Sequence, residues 1–340
     1  MFNERQKRIL QAVTIDYIYT AEPVGSRTIA RKYNLGVSPA TIRNEMYELE
    51  EAGYLQQPHT SAGRIPSDLG YRFYVDVLME PEVFDDAQVE EIRSGLALSS
   101  HDLAILLHQA VKLLSSLTRY TAVLIGPVTS KRIFKNLGLV RIDDFHALAV
   151  LVTEPNLVEN STIELEQPLS DGELATIAAT VSELLQGRDL NQLTTTINQQ
   201  LRHFVPQKAL YEALVRLMFT ERGPKNDQVI IEGTTHLLDQ PEFTDLSKAK
   251  AFLRAMEGKE LLLNILGDDT TTSGLKVRIG KENQVDEFQE CSIVTATYEY
   301  NGQPLGTIGI FGPTRLDYAK TTTAVSVFAQ LLGELLEEVF

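Results

Sequence analysis

The sequence predicts an α+β, multidomain protein that opens with a three-helix unit closed by a short hairpin. Three observations carry this reading. At 340 residues the chain exceeds one ordinary core, which favours two or three domains. Residues 1–80 alternate helix-capping residues with apolar positions at helical spacing. The remainder runs from a helix into strands, through a helical stretch, back to strands and into a long final helix. That is the order of a sensor-type α+β domain carrying an insertion.

Helix 1 is expected from Asn3 to Thr20, capped by Asn3, with Ile9, Leu10, Val13 and Tyr17 on one face. Ala21-Glu22-Pro23-Val24-Gly25 ends it, and Ser26 is positioned to cap a short second helix with Ile29, Ala30 and Tyr33 inward. Asn34-Leu35-Gly36-Val37 then makes a tight turn, with a glycine where the chain reverses. Ser38 caps a third helix with Pro39 at its first position, and Gly53 stops it. Helix, glycine turn, helix is the helix-turn-helix layout. Tyr54 to Pro58 reads as a strand, His59 to Arg64 as a turn and Ile65-Pro66 as the return, which together make a wing. Ser67 caps a further helix holding Tyr71, Phe73, Tyr74, Val77 and Leu78.

On the third helix Ile42, Met46 and Leu49 share the inward face, while Ala40, Thr41, Asn44 and Tyr47 lie opposite with Arg43 on the flank. An exposed Asn or Arg near the start of such a helix can form paired hydrogen bonds to adenine or guanine in the major groove. Thr41, Arg43 and Asn44 are therefore the candidate base-reading residues. Arg27, Lys32, Ser38, Tyr47 and the wing residues Thr60, Ser61 and Arg64 are candidates for the DNA backbone or wing contact. Glu45, Glu48, Glu50 and Glu51 crowd toward the C-terminal half, which should point away from phosphates.

Charge supports a local DNA site on an acidic protein. The net charge is −15, yet residues 1–76 hold nine basic and nine acidic side chains, and Arg27 to Asn44 holds four basic and no acidic ones. Hydrophobic content of 43% and charged content of 23% are those of a soluble globular protein, with no apolar run of membrane-spanning length. The charged N-terminus does not read as a secretory signal. One cysteine, Cys291, excludes an intrachain disulfide and a multi-cysteine metal site. A cytoplasmic location follows as the expectation.

The string Val37-Ser-Pro-Ala-Thr-Ile-Arg-Asn-Glu-Met-Tyr-Glu-Leu-Glu-Glu-Ala-Gly-Tyr-Leu55, the string Gln57-Pro-His-Thr-Ser-Ala-Gly-Arg-Ile-Pro-Ser-Asp-Leu-Gly-Tyr-Arg-Phe-Tyr-Val-Asp76 and the preceding Glu22-Pro-Val-Gly-Ser26 closely resemble the HrcA family of heat-inducible transcription repressors. Gly312-Pro-Thr-Arg-Leu-Asp-Tyr318 resembles the family's second signature, with Leu316 where methionine is more usual. The resemblance implies a homodimer that binds an inverted-repeat operator, the CIRCE element, upstream of chaperone genes. It also implies that the GroEL chaperonin assists the repressor into its active form and that heat stress diverts the chaperonin. Finally, it implies a winged helix at 1–80 and a linker at 81–100. A GAF-like domain would then occupy 101–169 and 267–340, with a dimerisation domain inserted at 170–266.

Beyond the N-terminal segment, His101 to Leu117 reads as an amphipathic helix. Tyr120–Gly126, Phe134–Ile142, Ala147–Thr153 and Ser161–Leu165 read as antiparallel strands. From Ser170 to about Arg222 the pattern is helical, broken near Gly187 and Pro206. Strand-like Val229–Ile231, a helix near Leu246–Met256 and an apolar run Leu261–Leu266 follow. Leu275–Ile279, Ser292–Tyr300 and Gly306–Phe311 read as strands with Asn301-Gly302 as a hairpin turn, and a helix from Thr314 to Val339 closes the chain.

Catalytic signals are absent. Gly274 to Lys281 has five residues between its glycines and Glu282 where a phosphate loop needs Ser or Thr. Gly306-Thr-Ile-Gly309-Ile-Phe-Gly312 lacks dinucleotide spacing, and His101 and His108 find no third metal ligand. No enzyme activity, cofactor, metal or membrane contact is expected. Arg315 and Tyr318 are either parts of a strand-to-helix turn capped by Thr314 or contacts for signalling or dimerisation. Two functional classes share the DNA-binding half: a chaperonin-regulated repressor, and a metabolite-sensing regulator whose GAF-like domain binds an effector. Inward polar residues on the later strands would favour the second, and the apolar Ala147–Val152 and Gly306–Phe311 favour the first.

Overall fold

The computed structural model describes residues 2–59, 62–97, 103–126, 133–154, 157–190, 195–219, 229–267 and 274–339. Glu4–Thr20 forms α1. The Asn3 side chain accepts from the Gln6 amide at 2.9 Å, and the Gln6 side chain accepts from the Asn3 amide at 3.1 Å. This reciprocal box satisfies two donors that a helix start leaves unpaired. Ser26–Lys32 forms α2, whose cap is Gly25 rather than Ser26; Ser26 is the first helical residue and is buried. Asn34 (φ 39) and Gly36 (φ 70) turn the chain through left-handed conformations. Pro39–Glu51 forms α3, with the Ser38 hydroxyl accepting from the Thr41 amide at 3.1 Å.

The hairpin is shorter than the sequence suggests, with β1 at Leu55–Gln56 and β2 at Ile65–Pro66. An antiparallel bridge between Val24 and Arg64 extends it, each amide donating to the other's carbonyl at 2.9 Å. A Cβ on Gly63 would lie 2.4 Å from the Val24 carbonyl, so the close approach requires glycine there. Asp68–Phe73 forms α4, capped by Ser67, and it widens into a π-helical turn at Tyr74–Leu78 instead of continuing as one α-helix. Ile9, Leu10, Val13, Ile29, Ile42, Met46, Leu49 and Leu55 form the buried core of this head.

Where the sequence suggests a linker at 81–100, Asp86–Ala97 forms α5. Its Arg93 pairs with Glu334 and, at 3.1 Å, with Glu338. Then follow α6 (Leu103–Thr118), β3 (Thr121–Ile125), β4 (Ile133–Arg141), β5 (His146–Glu154), β6 (Leu157–Glu164), α7 (Asp171–Leu185), α8 (Thr195–Phe204) and α9 (Lys208–Phe219). The rest comprises β7 (Val229–Glu232), 3-10 turns at Thr234–Asp239 and Pro241–Phe243, α10 (Leu246–Glu257), α11 (Lys259–Gly267), β8 (Leu275–Ile279), β9 (Cys291–Tyr300), β10 (Gln303–Pro313) and α12 (Tyr318–Val339). Thr314 does not cap α12. The helix starts four residues later, where the Asp317 carboxylate accepts from the Lys320 amide at 3.3 Å.

The strands separate into two units, and this corrects the expected domain limits. One unit is 1–128 with 226–339, and the other is 129–225. In the first, five strands form one antiparallel sheet in the order β7-β3-β10-β9-β8. In the second, β4, β5 and β6 form a separate antiparallel sheet. The insertion therefore spans 129–225, not 170–266. Segment 133–164 leaves the expected GAF-like part, and β7, α10 and α11 join it. The apolar run Leu261–Leu266 lies in α11 rather than in a strand.

β3 is an interior strand, between β7 and β10, and every residue of it is buried, as a strand covered on both faces requires. One face packs Val123, Ile125, Ile293 and Phe311 with Phe252, Met256 and Phe288. α6 packs on β3, and α12 packs on β9 and β10. β9 and β10 join through Asn301 (φ 51) and Gly302 (φ 67), a two-residue turn of the expected kind. In the inserted unit Phe134, Leu137, Ala147, Ala149, Leu151 and Ile163 pack against Leu174, Val181 and Leu210.

Cys291 is buried at the start of β9, and burial, with smaller contributions from Glu290 and Glu242, pushes its thiol up to about 12. Because only the thiolate attacks alkylating reagents, native protein at pH 8 should label on the order of a thousandfold more slowly than a free thiol. Denaturation should restore full labelling. Labelling of native protein at the free-thiol rate would contradict this burial.

Candidate nucleic-acid interface

The third helix separates its residues cleanly by exposure. Ile42, Met46 and Leu49 are buried, as the helical wheel predicts. Ala40, Arg43, Asn44, Tyr47, Glu48 and Glu51 are exposed and line one stripe at spacings of three and four. The N-terminal half of that stripe carries Ala40, Arg43, Asn44 and Tyr47, and its C-terminal end carries the acids. The side chains of Arg43 and Asn44 have no partner among the described residues. Thr41 is half-buried beside them, its hydroxyl 3.0 Å from that of Ser38. Ser38 is exposed but committed to the helix cap. Tyr47 is 53% exposed, and its hydroxyl donates to Glu51 at 2.9 Å.

Glu45 separates from the other acids of the C-terminal half. Rather than standing with the exposed acids, it is 5% exposed, and Arg5 of α1 donates to it from Nε at 2.8 Å. Its spacing from Ile42 and Leu49 places it on the inward face, so the wheel held this signal. The ion pair draws a carboxylate away from the exposed stripe and ties α3 to α1. Sequence reasoning missed this pair, and with it the positioning role of Arg5.

The flanking basic residues divide into exposed and committed ones. Arg27 and Arg31 are exposed on successive turns of α2. Lys32 instead pairs with buried Asp16, and that hydrogen bond holds its ammonium above the ordinary lysine value. Arg64 does not project from the hairpin. It is 17% exposed and donates from Nη2 to Glu50 at 2.7 Å, while its backbone bridges Val24. Three clustered interactions thus fix it at the base of the hairpin. Thr60 and Ser61 lie outside the described residues.

Arg315 and Tyr318 are not surface contacts. Tyr318 is fully buried, its hydroxyl donating to the Thr314 carbonyl and lying 2.6 Å from the Ser292 hydroxyl. Arg315 is 8% exposed and donates to Glu242, to Gln240 at 2.8 Å and to the Ile18 carbonyl at 3.0 Å. Their burial depends on how distant segments fold together, which local spacing does not show. Among the described residues, no group of three His, Cys, Asp or Glu is placed to hold a metal, and no helix is long and apolar enough to cross a membrane.

The comparisons with known proteins agree over nearly the whole chain. A family model described as the HrcA protein C-terminal domain matches residues 105–322. The heat-inducible transcription repressor HrcA of Symbiobacterium thermophilum is 43% identical over 337 residues, covering 98% of this chain and 99% of that protein. The protein of the same name from Brevibacillus brevis is 38% identical and covers 100% of this chain and 99% of its own length. A solved structure described as a hypothetical protein shares the fold, with a TM-score of 0.69 at 24% identity and full coverage of both chains. The chain belongs to the HrcA family of heat-inducible transcription repressors.

Proposed function

We propose that this heat-inducible repressor binds duplex DNA through a winged-helix head, with the N-terminal half of α3 in the major groove. The observation that carries this is the exposed Ala40–Arg43–Asn44–Tyr47 stripe, cleared of carboxylates because Glu45 turns inward to Arg5. Arg43 and Asn44 have the donors and acceptors to read guanine and adenine edges, and Thr41 contacts a neighbouring base. Arg27 and Arg31 hold phosphates beside them. Ser38 contributes through the helix N-terminus that it caps, and Tyr47 contributes its exposed ring. Lys32 and Arg64 act on the fold instead, since each spends its charge on a carboxylate. Thr60 and Ser61, polar in the sequence between His59 and Ala62, stay candidates for backbone or minor-groove contact.

The operator is an inverted repeat of the CIRCE type, read by a homodimer, as the family resemblance implies. The inserted unit offers the surface for a second copy. The strand register places Val140, Leu148, Val150, Val152 and Val158 on the sheet face opposite the packed core. Val140 is 56% and Val158 62% exposed. Asn136, Asn160 and Thr162 share that face and interrupt the patch; an apolar patch on a monomer still marks an interface, and an inverted repeat calls for a two-fold, self-complementary one. The five-stranded sheet of the other unit is GAF-like in order, and its role is structural. Its buried polar side chains are Thr121, Ser292, Thr295 and Thr307 among the described residues, with no buried charge to orient an effector. Regulation by the GroEL chaperonin rests on the family resemblance, and the inward hydroxyls of Thr121, Ser292, Thr295 and Thr307 are the feature that speaks for an effector instead.

Five outcomes test this reading. Asn44→Ala should weaken operator binding by ~1–3 kcal/mol and relax one base position. Arg27→Ala should weaken all sequences alike and lower the salt slope by about one. Arg64→Ala should lower stability with little change in that slope. Binding curves on operator and scrambled DNA distinguish them, and equal losses on both DNAs for Asn44→Ala would remove its base-reading role. Val140→Lys combined with Val158→Glu should leave a folded monomer in sedimentation, and a persisting dimer would place the interface elsewhere. Purified chaperonin should raise operator binding. No change across a wide chaperonin range, with thermal stabilisation by a small metabolite, would favour the sensor instead.

A further inference from the structure

Two polar attachments join the three-helix head to the five-stranded sheet within one compact unit. The first surrounds Arg315, on the turn between β10 and α12. Its guanidinium donates to the Ile18 carbonyl in the last turn of α1, to Gln240 and to Glu242. The last carbonyls of a helix lack partners within it, and the negative end of the helix favours a cation there. Next to it the rings of Tyr71 in α4 and Tyr318 in α12 lie 5.8 Å apart, both buried.

The second attachment lies between α4 and the end of β8. The Lys281 amide donates to the Asp68 carboxylate at 3.1 Å. Arg72 donates to Glu282 from Nε at 2.8 Å and to the Val277 carbonyl at 2.6 Å. Gly280 adopts φ +55, and a Cβ on it would lie 2.3 Å from the Asp68 carboxylate. Only glycine lets the acid sit this close. The segment after the head is fastened as well: the Glu82 amide donates to the Ala319 carbonyl at 3.2 Å, and the Thr323 hydroxyl donates to the Glu82 carbonyl at 2.6 Å.

None of these residues lies on the exposed stripe of α3. They hold α1 and α4, and the head's own core joins those helices to α3. Rocking the head away from the sheet would strip a buried guanidinium of a backbone carbonyl and its neighbours, which disfavours intermediate tilts. We propose that Arg315, Arg72 and Asp68 are positioning residues that lock the head in one orientation, and that this lock sets the half-site spacing the dimer accepts on DNA. The proposal rests on the dimeric, operator-binding reading above. Half-sites a whole number of turns apart present the same face of the duplex, so a fixed head discriminates between spacings and a loose one does not.

The test is a panel of inverted repeats whose spacer varies in steps across one helical turn. Wild type should prefer one spacing. Arg315→Gln, or the more exposed change Arg72→Gln combined with Asp68→Asn, should reduce that preference about tenfold or more while affinity for a single half-site stays unchanged. Simple loss of folded protein would lower every affinity in proportion and leave the spacing profile intact. A second measurement needs no DNA. Spin labels on Ala52→Cys in the head and Lys250→Cys on α10, both exposed positions, should give a narrow distance distribution in wild type and a broad one in the variants. Folded variants that keep the wild-type spacing preference, or that keep the narrow distribution, overturn the proposal. A flat wild-type spacing profile also overturns it. If wild type binds no inverted repeat, the operator reading falls, while the distance measurement still decides whether the lock exists.

Discussion

A guanidinium keeps its charge inside a protein, so a buried arginine must find partners for its donors. Arg315 meets this constraint by gathering three segments far apart in sequence: the end of α1, the 3-10 stretch holding Gln240 and Glu242, and the turn leading into α12. The placement of the head on the sheet depends on that gathering. Tyr71 packs against Tyr318, and Tyr318 in turn reaches Ser292 on β9. Burial pushes the Tyr71 and Tyr318 phenols far above their ordinary range, so both stay neutral at any physiological pH. The junction around Arg315 thus holds one ion pair, Arg315 with Glu242, beside neutral rings.

The same logic of committed charge shapes the DNA-facing surface. Arg5 takes Glu45 inward, Lys32 takes Asp16, and Glu50 takes Arg64. The basic residues left exposed around α3, namely Arg27, Arg31 and Arg43, are then the ones available for the proposed DNA contact. An acidic protein of net charge −15 can bind a polyanion only through such local sorting.

The head was legible in the sequence because its instructions are local. Asn3, Ser38 with Pro39, Gly36, Gly53 and Ser67 each act within a few residues of themselves, and the structure places helix ends where they say. The exceptions are instructive. Gly25 takes the cap position and Ser26 is the first, buried residue of α2, and Glu45, grouped in the sequence only with the acids of the C-terminal half, turns inward with Ile42 and Leu49. The domain limits were not legible. β3 pairs with β7 across more than a hundred intervening residues, and β4 to β6 have the same apolar, strand-like texture as β3 while belonging to another sheet. Apolar alternation identifies strands but says nothing of which partner closes each edge. The burial of Arg315 and Tyr318, for which the sequence left a turn and a surface contact open, is likewise set by segments distant in sequence.

The central claim is that the N-terminal half of α3 reads the major groove of each operator half-site. Methylation protection at guanine N7, an atom exposed only in the major groove, tests it most directly. The wild-type complex should protect guanines in both half-sites, with loss of one symmetric pair in Arg43→Ala. Full methylation of those guanines in a saturated complex, with contacts confined to the minor groove, would contradict it.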